Sequence, residues 1–133
     1  MEILLKGRPI VPGEARGLAL VSSKPLSFLG GVDAKTGVII ERGHDLYGVG
    51  VKDKILCFPH GRGSTVGSYV LYALAKNGVA PRAIVNSLAD PVVVVGAVIA
   101  NIPMVDYIDI SMIKTGDLIE VDGGKGLVRI CRK

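Results

Sequence analysis

The sequence predicts a mixed α/β fold built from short strands, and three observations carry that reading. First, the apolar run Lys54 to Phe58 leads through a Gly-rich turn into helix-patterned residues ending at Lys76, and a second apolar run, Ala83-Ile84-Val85, follows. Strand, helix and strand in that order indicate a right-handed crossover in a partly parallel sheet. Second, Leu118 to Val121 and Leu127 to Ile130 flank Asp122-Gly123-Gly124-Lys125-Gly126, the clearest hairpin in the chain. Third, the 18 glycines are scattered, as many tight turns in a strand-rich fold require. Hydrophobic residues make up 49% of the chain but aromatics only 5%, so the core must be built from Val, Ile, Leu and Ala. A chain of 133 residues can bury one sizeable core and is too short for two ordinary domains, so residues 1–133 are expected to form a single unit.

In chain order, Ile3 to Leu5 can start a strand, Lys6 to Arg8 reads as a polar turn, and Ile10 and Val11 lead into the Pro12-Gly13 turn. Glu14 to Ser22 is extended, with Leu18 to Val21 its most strand-like part, and Lys24-Pro25 ends it. Leu26 to Leu29 is a turn or edge strand, Gly30-Gly31 a bend, and the β-branched Val38-Ile39-Ile40 reads as a strand. Glu41 to Asp45 is a polar loop in which His44 reads as a surface histidine. After the Gly-rich turn, Val66, Val70 and Leu74, with Leu71 and Ala73, form a stripe at helical spacing, and Asn77-Gly78 stops the helix. Asp90-Pro91 looks like a cap and first helical residue, which predicts a helix over Pro91 to Asn101 before Pro103. The four valines Val92 to Val95 conflict with that on propensity. Pro103-Met104-Val105 then reads as a short strand.

The net charge of +4 says little, because the basic residues are spread out, with weak concentrations at Lys52/Lys54 and at Arg129, Arg132 and Lys133. No basic cluster interleaved with aromatics points to a nucleic-acid surface. The distribution of acids is more informative: none lies between Asp53 and Asp90, while Lys54, Arg62, Lys76 and Arg82 all do. A surface made from that segment would suit an anionic small molecule. Cys57 and Cys131 form no disulfide framework and have no metal-ligand spacing with His44 or His60, so both are expected to be buried, inert thiols. The start of the chain lacks the pattern of a secretory signal, and the apolar patch Pro91 to Ile102 is too short to span a bilayer. A cytoplasmic protein is expected.

The segment with the most chemistry is Pro59-His60-Gly61-Arg62-Gly63-Ser64-Thr65-Val66-Gly67-Ser68-Tyr69. Ser64 or Thr65 can cap the incoming helix, and the junction offers backbone N–H donors, a positive helix end and Arg62. An anion cradle of Arg62, backbone amides and the Ser64, Thr65 and Ser68 hydroxyls would take a carboxylate or phosphate. An ordinary capped helix after a tight turn accounts for the same residues. No lysine precedes the Ser-Thr pair as a phosphate loop requires, and the nearness of His60 to Ser64 in sequence does not make it a base.

This segment, followed by Ala80-Pro81-Arg82-Ala83-Ile84-Val85-Asn86 and by Ala97 to Asp106 with Ile102-Pro103-Met104-Val105-Asp106, resembles the small swivelling domain of the aconitase X family. Gly7-Arg8 and Gly13-Glu14-Ala15 fit as well, so the resemblance spans almost the whole chain and is nearest to the stand-alone archaeal small components. It implies one compact swivelling β/β/α domain with two main helices packed on one side. It also implies a hydro-lyase subunit that acts in the archaeal mevalonate route to isoprenoids, removing water from (R)-5-phosphomevalonate to give trans-anhydromevalonate 5-phosphate. Ser64 matches the family serine that takes the substrate proton, with Arg62, Gly63 and Thr65 around it and Ser68 and His60 in support. The family commonly has a second serine where Thr65 stands; a hydroxyl is retained. A 4Fe–4S cluster is expected in a larger partner subunit and none in this chain. Neighbouring readings are dehydration of another hydroxy acid such as a hydroxyproline, and a non-catalytic anion-binding module.

Overall fold

The computed structural model describes residues 1–132; Lys133, counted above among the C-terminal basic residues, lies outside them. Eight strands form one sheet: β1 (Glu2–Lys6), β2 (Arg8–Val11), β3 (Glu14–Val21), β4 (Ile55–Phe58), β5 (Ala83–Asn86), β6 (Met104–Asp106), β7 (Leu118–Asp122) and β8 (Leu127–Cys131). Two helices, α1 (Gly67–Lys76) and α2 (Pro91–Ala100), complete the framework. The spatial order is β1-β8-β7-β3-β4-β5-β6-β2. Strand β3 joins two halves: Glu14 to Leu18 pairs antiparallel with β7, whereas Ala19 to Val21 pairs parallel with β4. Strands β4, β5 and β6 continue in parallel, as strand-helix-strand units require.

Alternation along β4 and β5 divides the core in two. Leu56, Phe58 and Ile84 face one way, packing with Leu71 and Leu74 of α1, Val93 and Ala97 of α2, and Leu26, Phe28, Ile39 and Val51. Ile55, Cys57, Ala83 and Val85 face the other way, against Ile119, Val121, Val128 and Ile130 of the hairpin. A strand buried on both faces reads as an unbroken apolar run, and β4 and β5 are fully buried along their length. The layers are therefore hairpin sheet, parallel sheet and helices: a β/β/α architecture with short mixed strands and both helices on one side.

Several local expectations are corrected. Arg8 lies in β2, not in a turn; Arg8 and Pro9 pair with Asp106 and Val105. Val38-Ile39-Ile40 forms only the isolated bridges Val38–Gly50 and Val32–Ile39. Ile39 is fully buried in the core cluster and belongs to no strand ladder. His44 is buried: its Nε2 faces the Pro25 carbonyl at 3.1 Å and its Nδ1 accepts the Leu46 N–H at 3.1 Å. Nδ1 also lies 3.1 Å from Asp45 Oδ1. The buried face of α1 is Gly67, Ser68, Leu71 and Leu74, while Val66 is exposed. The opposing Gly96 of α2 sets that face: a Cβ there would lie 2.5 Å from Leu71 Cδ1 and 3.2 Å from Ser68 Cα. In α2 the cap outweighs the valine run; Asp90 is extended, its side chain accepts from the Val93 N–H, and Asn101 ends the helix in the left-handed region.

Cys57 is fully buried, and desolvation pushes its thiol up to about 12. Cys131 is only half-buried, contrary to expectation; burial and the adjacent Glu120 also raise its thiol. Among the described residues no helix is long and apolar enough to cross a membrane.

The start of β7 is held by Arg132, whose Nη2 donates to Asp117 Oδ2 at 2.9 Å, and the Lys114 N–H donates to the same oxygen at 2.8 Å. The Arg132 hydrogen bond in particular holds the Asp117 carboxyl below its ordinary value of 3.8. With the folded value depressed, this contribution to stability is present above the ordinary value and is lost as pH falls through the folded one. Asp117→Asn is therefore expected to flatten the acid limb of stability against pH below about pH 4. Urea midpoints compared between the two proteins across that range provide the check, and parallel limbs would refute the assignment.

Candidate functional site

The parallel order of β4, β5 and β6 sends the chain out of all three strands at one edge, where open α/β sheets place their sites. Pro59 to Val66 leaves β4 there, Ser87 to Asp90 leaves β5, and Tyr107 leaves β6. The first segment is held on both flanks. On one side the Ser87 and Leu88 N–H groups donate to the Pro59 carbonyl at 3.0 and 3.1 Å, and the Gly61 N–H donates to Asp90 Oδ1 at 2.7 Å. On the other, the Leu26 N–H donates to the His60 carbonyl at 3.3 Å, the Arg62 N–H to the Leu26 carbonyl at 3.2 Å, and the Ser27 hydroxyl to the Arg62 carbonyl at 3.0 Å. Residues 59–62 are thus pinned, and 63–66 project from them.

Gly63 makes the projection possible. Its φ of +97° lies where side chains are strained, and a Cβ would stand 2.8 Å from Ser27 Oγ. Ser64 follows, exposed, with its Oγ accepting the Val66 N–H at 3.1 Å. Neither Ser64 nor Thr65 occupies the cap of α1; that position is Val66, without a side-chain cap. Ser64 instead closes a lead-in turn, in which its carbonyl accepts the Gly67 N–H at 2.9 Å. The Oγ bond does not disarm the hydroxyl. An oxygen that accepts one N–H keeps another lone pair, and that N–H stabilises negative charge on it. The N–H groups of Gly63, Ser64 and Thr65 take no partner among the described residues, so successive donors flank the hydroxyl as in an anion-binding turn.

The other predicted residues divide. Thr65 is exposed beside Ser64, and His60 is exposed at the root of the loop. His60 Nδ1 lies 2.7 Å from the Gly61 carbonyl, an arrangement that puts a proton on Nδ1 and leaves Nε2 as the acceptor of the neutral ring. Ser68 is 6% exposed and donates to the Thr65 carbonyl at 2.9 Å; it supports the turn from inside and offers no hydroxyl to the loop's mouth. Arg62 does not stand alone. Its Nη2 meets Glu41 Oε2 at 2.5 Å, and Glu41 Oε1 accepts the Ser27 N–H at 3.0 Å.

The acid-free interval from Asp53 to Asp90 therefore makes no single positive face. Lys54 and Arg82 sit where β4 and β5 begin, at the edge opposite Arg62, and Arg82 approaches Asp53 at 3.8 Å. Glu41 and Asp90 bring carboxylates to the Ser64 loop from outside the interval. Glu41, Ser27 and Asp90 are the site residues that sequence reasoning missed. Only the Asp90-Pro91 pair carried a signal, and it was read as a helix cap alone.

A second carboxylate braces the same edge. Asp106 is fully buried, receives Arg8 Nε at 2.9 Å and Nη2 at 2.6 Å, and accepts the Ala89 N–H at 2.8 Å. The Arg8 guanidinium also lies 4.0 Å from the centre of the Tyr107 ring. Shallow concavities lie elsewhere, on the hairpin's outer face near Arg16, Glu120 and Arg129, and among Arg16, Lys54 and Arg82. Ser64 stands on open surface. Among the described residues, no group of three or more His, Cys, Asp or Glu is placed to hold a metal ion.

The chain is similar to proteins of known family. It is 62% identical to the phosphomevalonate dehydratase small subunit of Thermococcus sibiricus over 126 residues, 95% of this chain and 97% of that one. It is 57% identical to the protein of the same name from Methanocaldococcus jannaschii, over 97% of this chain and 98% of that one. The crystal structure of Thermococcus kodakaraensis aconitase X in its holo-form superposes with a TM-score of 0.96 at 52% identity, covering 98% of this chain and 99% of that one. Residues 4–130 match the family model of the aconitase X swivel domain. With nearly its whole length matched in sequence and in fold, this chain belongs to the aconitase X family as a swivel domain.

Proposed function

We propose that this chain is the small subunit of a phosphomevalonate dehydratase, a hydro-lyase that converts (R)-5-phosphomevalonate to trans-anhydromevalonate 5-phosphate. The observation that carries the reading is the Ser64 hydroxyl: exposed on a pinned loop, accepting one backbone N–H and flanked by further free donors. Similarity to small subunits of that name over almost the full chain supports the substrate and the hydro-lyase class.

In this reading Ser64 Oγ takes the proton from the carbon next to the one that bears the departing hydroxyl. A free serine is a poor base at neutral pH, so its surroundings must favour the anionic oxygen. The Val66 N–H does so directly, and the amides of Gly63 to Thr65 and the positive end of α1 add to it. Those donors gain strength when closure excludes water. Arg62, held by Glu41, presents its remaining donors to an anionic group of the substrate. The residues present do not suit an iron–sulfur cluster, because Cys57 is sealed in the core and Cys131 lies at the far end of the hairpin sheet. The proposal therefore assigns a 4Fe–4S cluster, whose chemistry is Lewis-acid activation of the leaving hydroxyl, to a larger partner subunit. The open surface around Ser64 agrees with half a site, completed by a second body.

Co-expression with the candidate large subunit and an anaerobic assay on phosphomevalonate test the proposal. Turnover is expected from the pair and not from this chain alone. Dehydration by the isolated chain would remove the need for a partner, and an assembled pair inert on this substrate but active on another hydroxy acid would replace the substrate.

A further inference from the structure

The residue that caps α2 also bonds the backbone of the loop that carries Ser64. The Asp90 carboxylate faces two ways: Oδ1 accepts the Gly61 N–H at 2.7 Å, and Oδ2 accepts the Val93 N–H at 3.4 Å in the first turn of α2. The first bond crosses from the β5–α2 connection to the β4–α1 loop; the second is an ordinary helix cap. The shorter and stronger bond is the one that the helix does not need.

The packing around that bond shows that the loop is fitted to it. A Cβ on Gly61 would lie 2.4 Å from Val93 Cγ2 and 2.7 Å from Asp90 Oδ1, so this position must be bare for the first turn of α2 and its capping carboxylate to come this close to the backbone. The Ser87 and Leu88 amides grip the Pro59 carbonyl from the same connection, and Asp106 fixes that connection by holding the Ala89 N–H. Two residues beyond Gly61, the chain enters the left-handed turn at Gly63 and reaches Ser64. A displacement at Gly61 therefore passes directly to the hydroxyl. We propose that Asp90 is a positioning residue for the reaction, fixing the Ser64 loop through its bond to the Gly61 N–H rather than merely capping α2. The inference rests on the proposed role of Ser64 and adds the residue that sets where Ser64 stands.

The two bonds can be separated by two substitutions in the assembled two-subunit enzyme. Asp90→Ser keeps a side-chain oxygen that caps the helix but is too short to reach Gly61. Asp90→Asn keeps an acceptor for the Gly61 N–H and gives up the weaker 3.4 Å contact. For D90S, kcat is expected to fall about 10- to 100-fold with KM changed less than about 3-fold and the melting temperature near that of the parent, since small misplacements of a reacting group carry costs of that order. D90N is expected to retain kcat within about 3-fold, which a residue needed only for its cap would not predict for this pair. Faster amide hydrogen exchange from Gly61 to Thr65 in D90S alone would show the loop released. A kcat loss under about 3-fold in a folded D90S enzyme overturns the proposal, as does a D90N enzyme no better than D90S. A parallel S64A enzyme keeps the readings apart: full turnover there sinks the base role of Ser64, whereas normal D90S turnover beside a dead S64A sinks only the role of Asp90.

Discussion

Ser64→Ala in the assembled enzyme is expected to lower kcat by about 10²- to 10⁴-fold, the range associated with loss of a general base. KM should change little, because the amides of Gly63 to Thr65 and the Arg62 guanidinium remain in place. Assembly should persist as well. The substitution removes one exposed acceptor for the Val66 N–H, a loss of about 1 kcal/mol at most in a turn also held by the Ser64 carbonyl. Steady-state kinetics together with size-exclusion of the complex decide the matter. An intact S64A complex that turns over at the parent's rate would leave the hydroxyl as a turn-closing group and nothing more.

The largest loss of stability is expected at the root of the same loop. Phe58 is fully buried, ends β4 immediately before Pro59, and meets Phe28 edge-on with ring centres 6.0 Å apart. Its ring joins the parallel sheet to the segment between β3 and β4, which supplies Leu26, Val32 and Ile39 to the same core. Phe58→Ala is expected to cost about 3–5 kcal/mol, from lost transfer energy and the cavity left behind. That is a large share of the roughly 5–15 kcal/mol that holds a domain folded. Urea unfolding should show a lower midpoint with an unchanged slope. A loss below about 1 kcal/mol would mean that the loop segment collapses into the space and is not held by this ring.

What could be read from the sequence was whatever neighbours along the chain decide. The hairpin of β7 and β8, the cap and proline that start α2, the Asn77-Gly78 stop of α1 and the buried runs of β4 and β5 are written in consecutive residues. Even the valine run in α2 yields to signals within two residues of it. The Ser64 segment stood out for the same reason, since its glycines and hydroxyls are contiguous.

The misreadings have a common cause. The buried face of α1 follows from the notch at Gly96 on the other helix, so Val66 looked like core where Gly67 and Ser68 are, while Val70 packs at the core's margin. His44 looked exposed because nothing nearby announces the Pro25 carbonyl that its Nε2 faces. Arg62 looked free because Glu41, 21 residues earlier, is drawn to it only by the fold.

Local chemistry alone determined the mixed α/β class, most element boundaries and the segment able to carry an active hydroxyl. Tertiary structure decided which charges meet there: Glu41 on Arg62, Asp90 on the Gly61 amide, and Asp106 on Arg8 from 98 residues away. The physical reason is range. Turn and cap preferences act between adjacent residues, whereas a carboxylate finds its partner only after parallel strands have brought distant loops to the same edge.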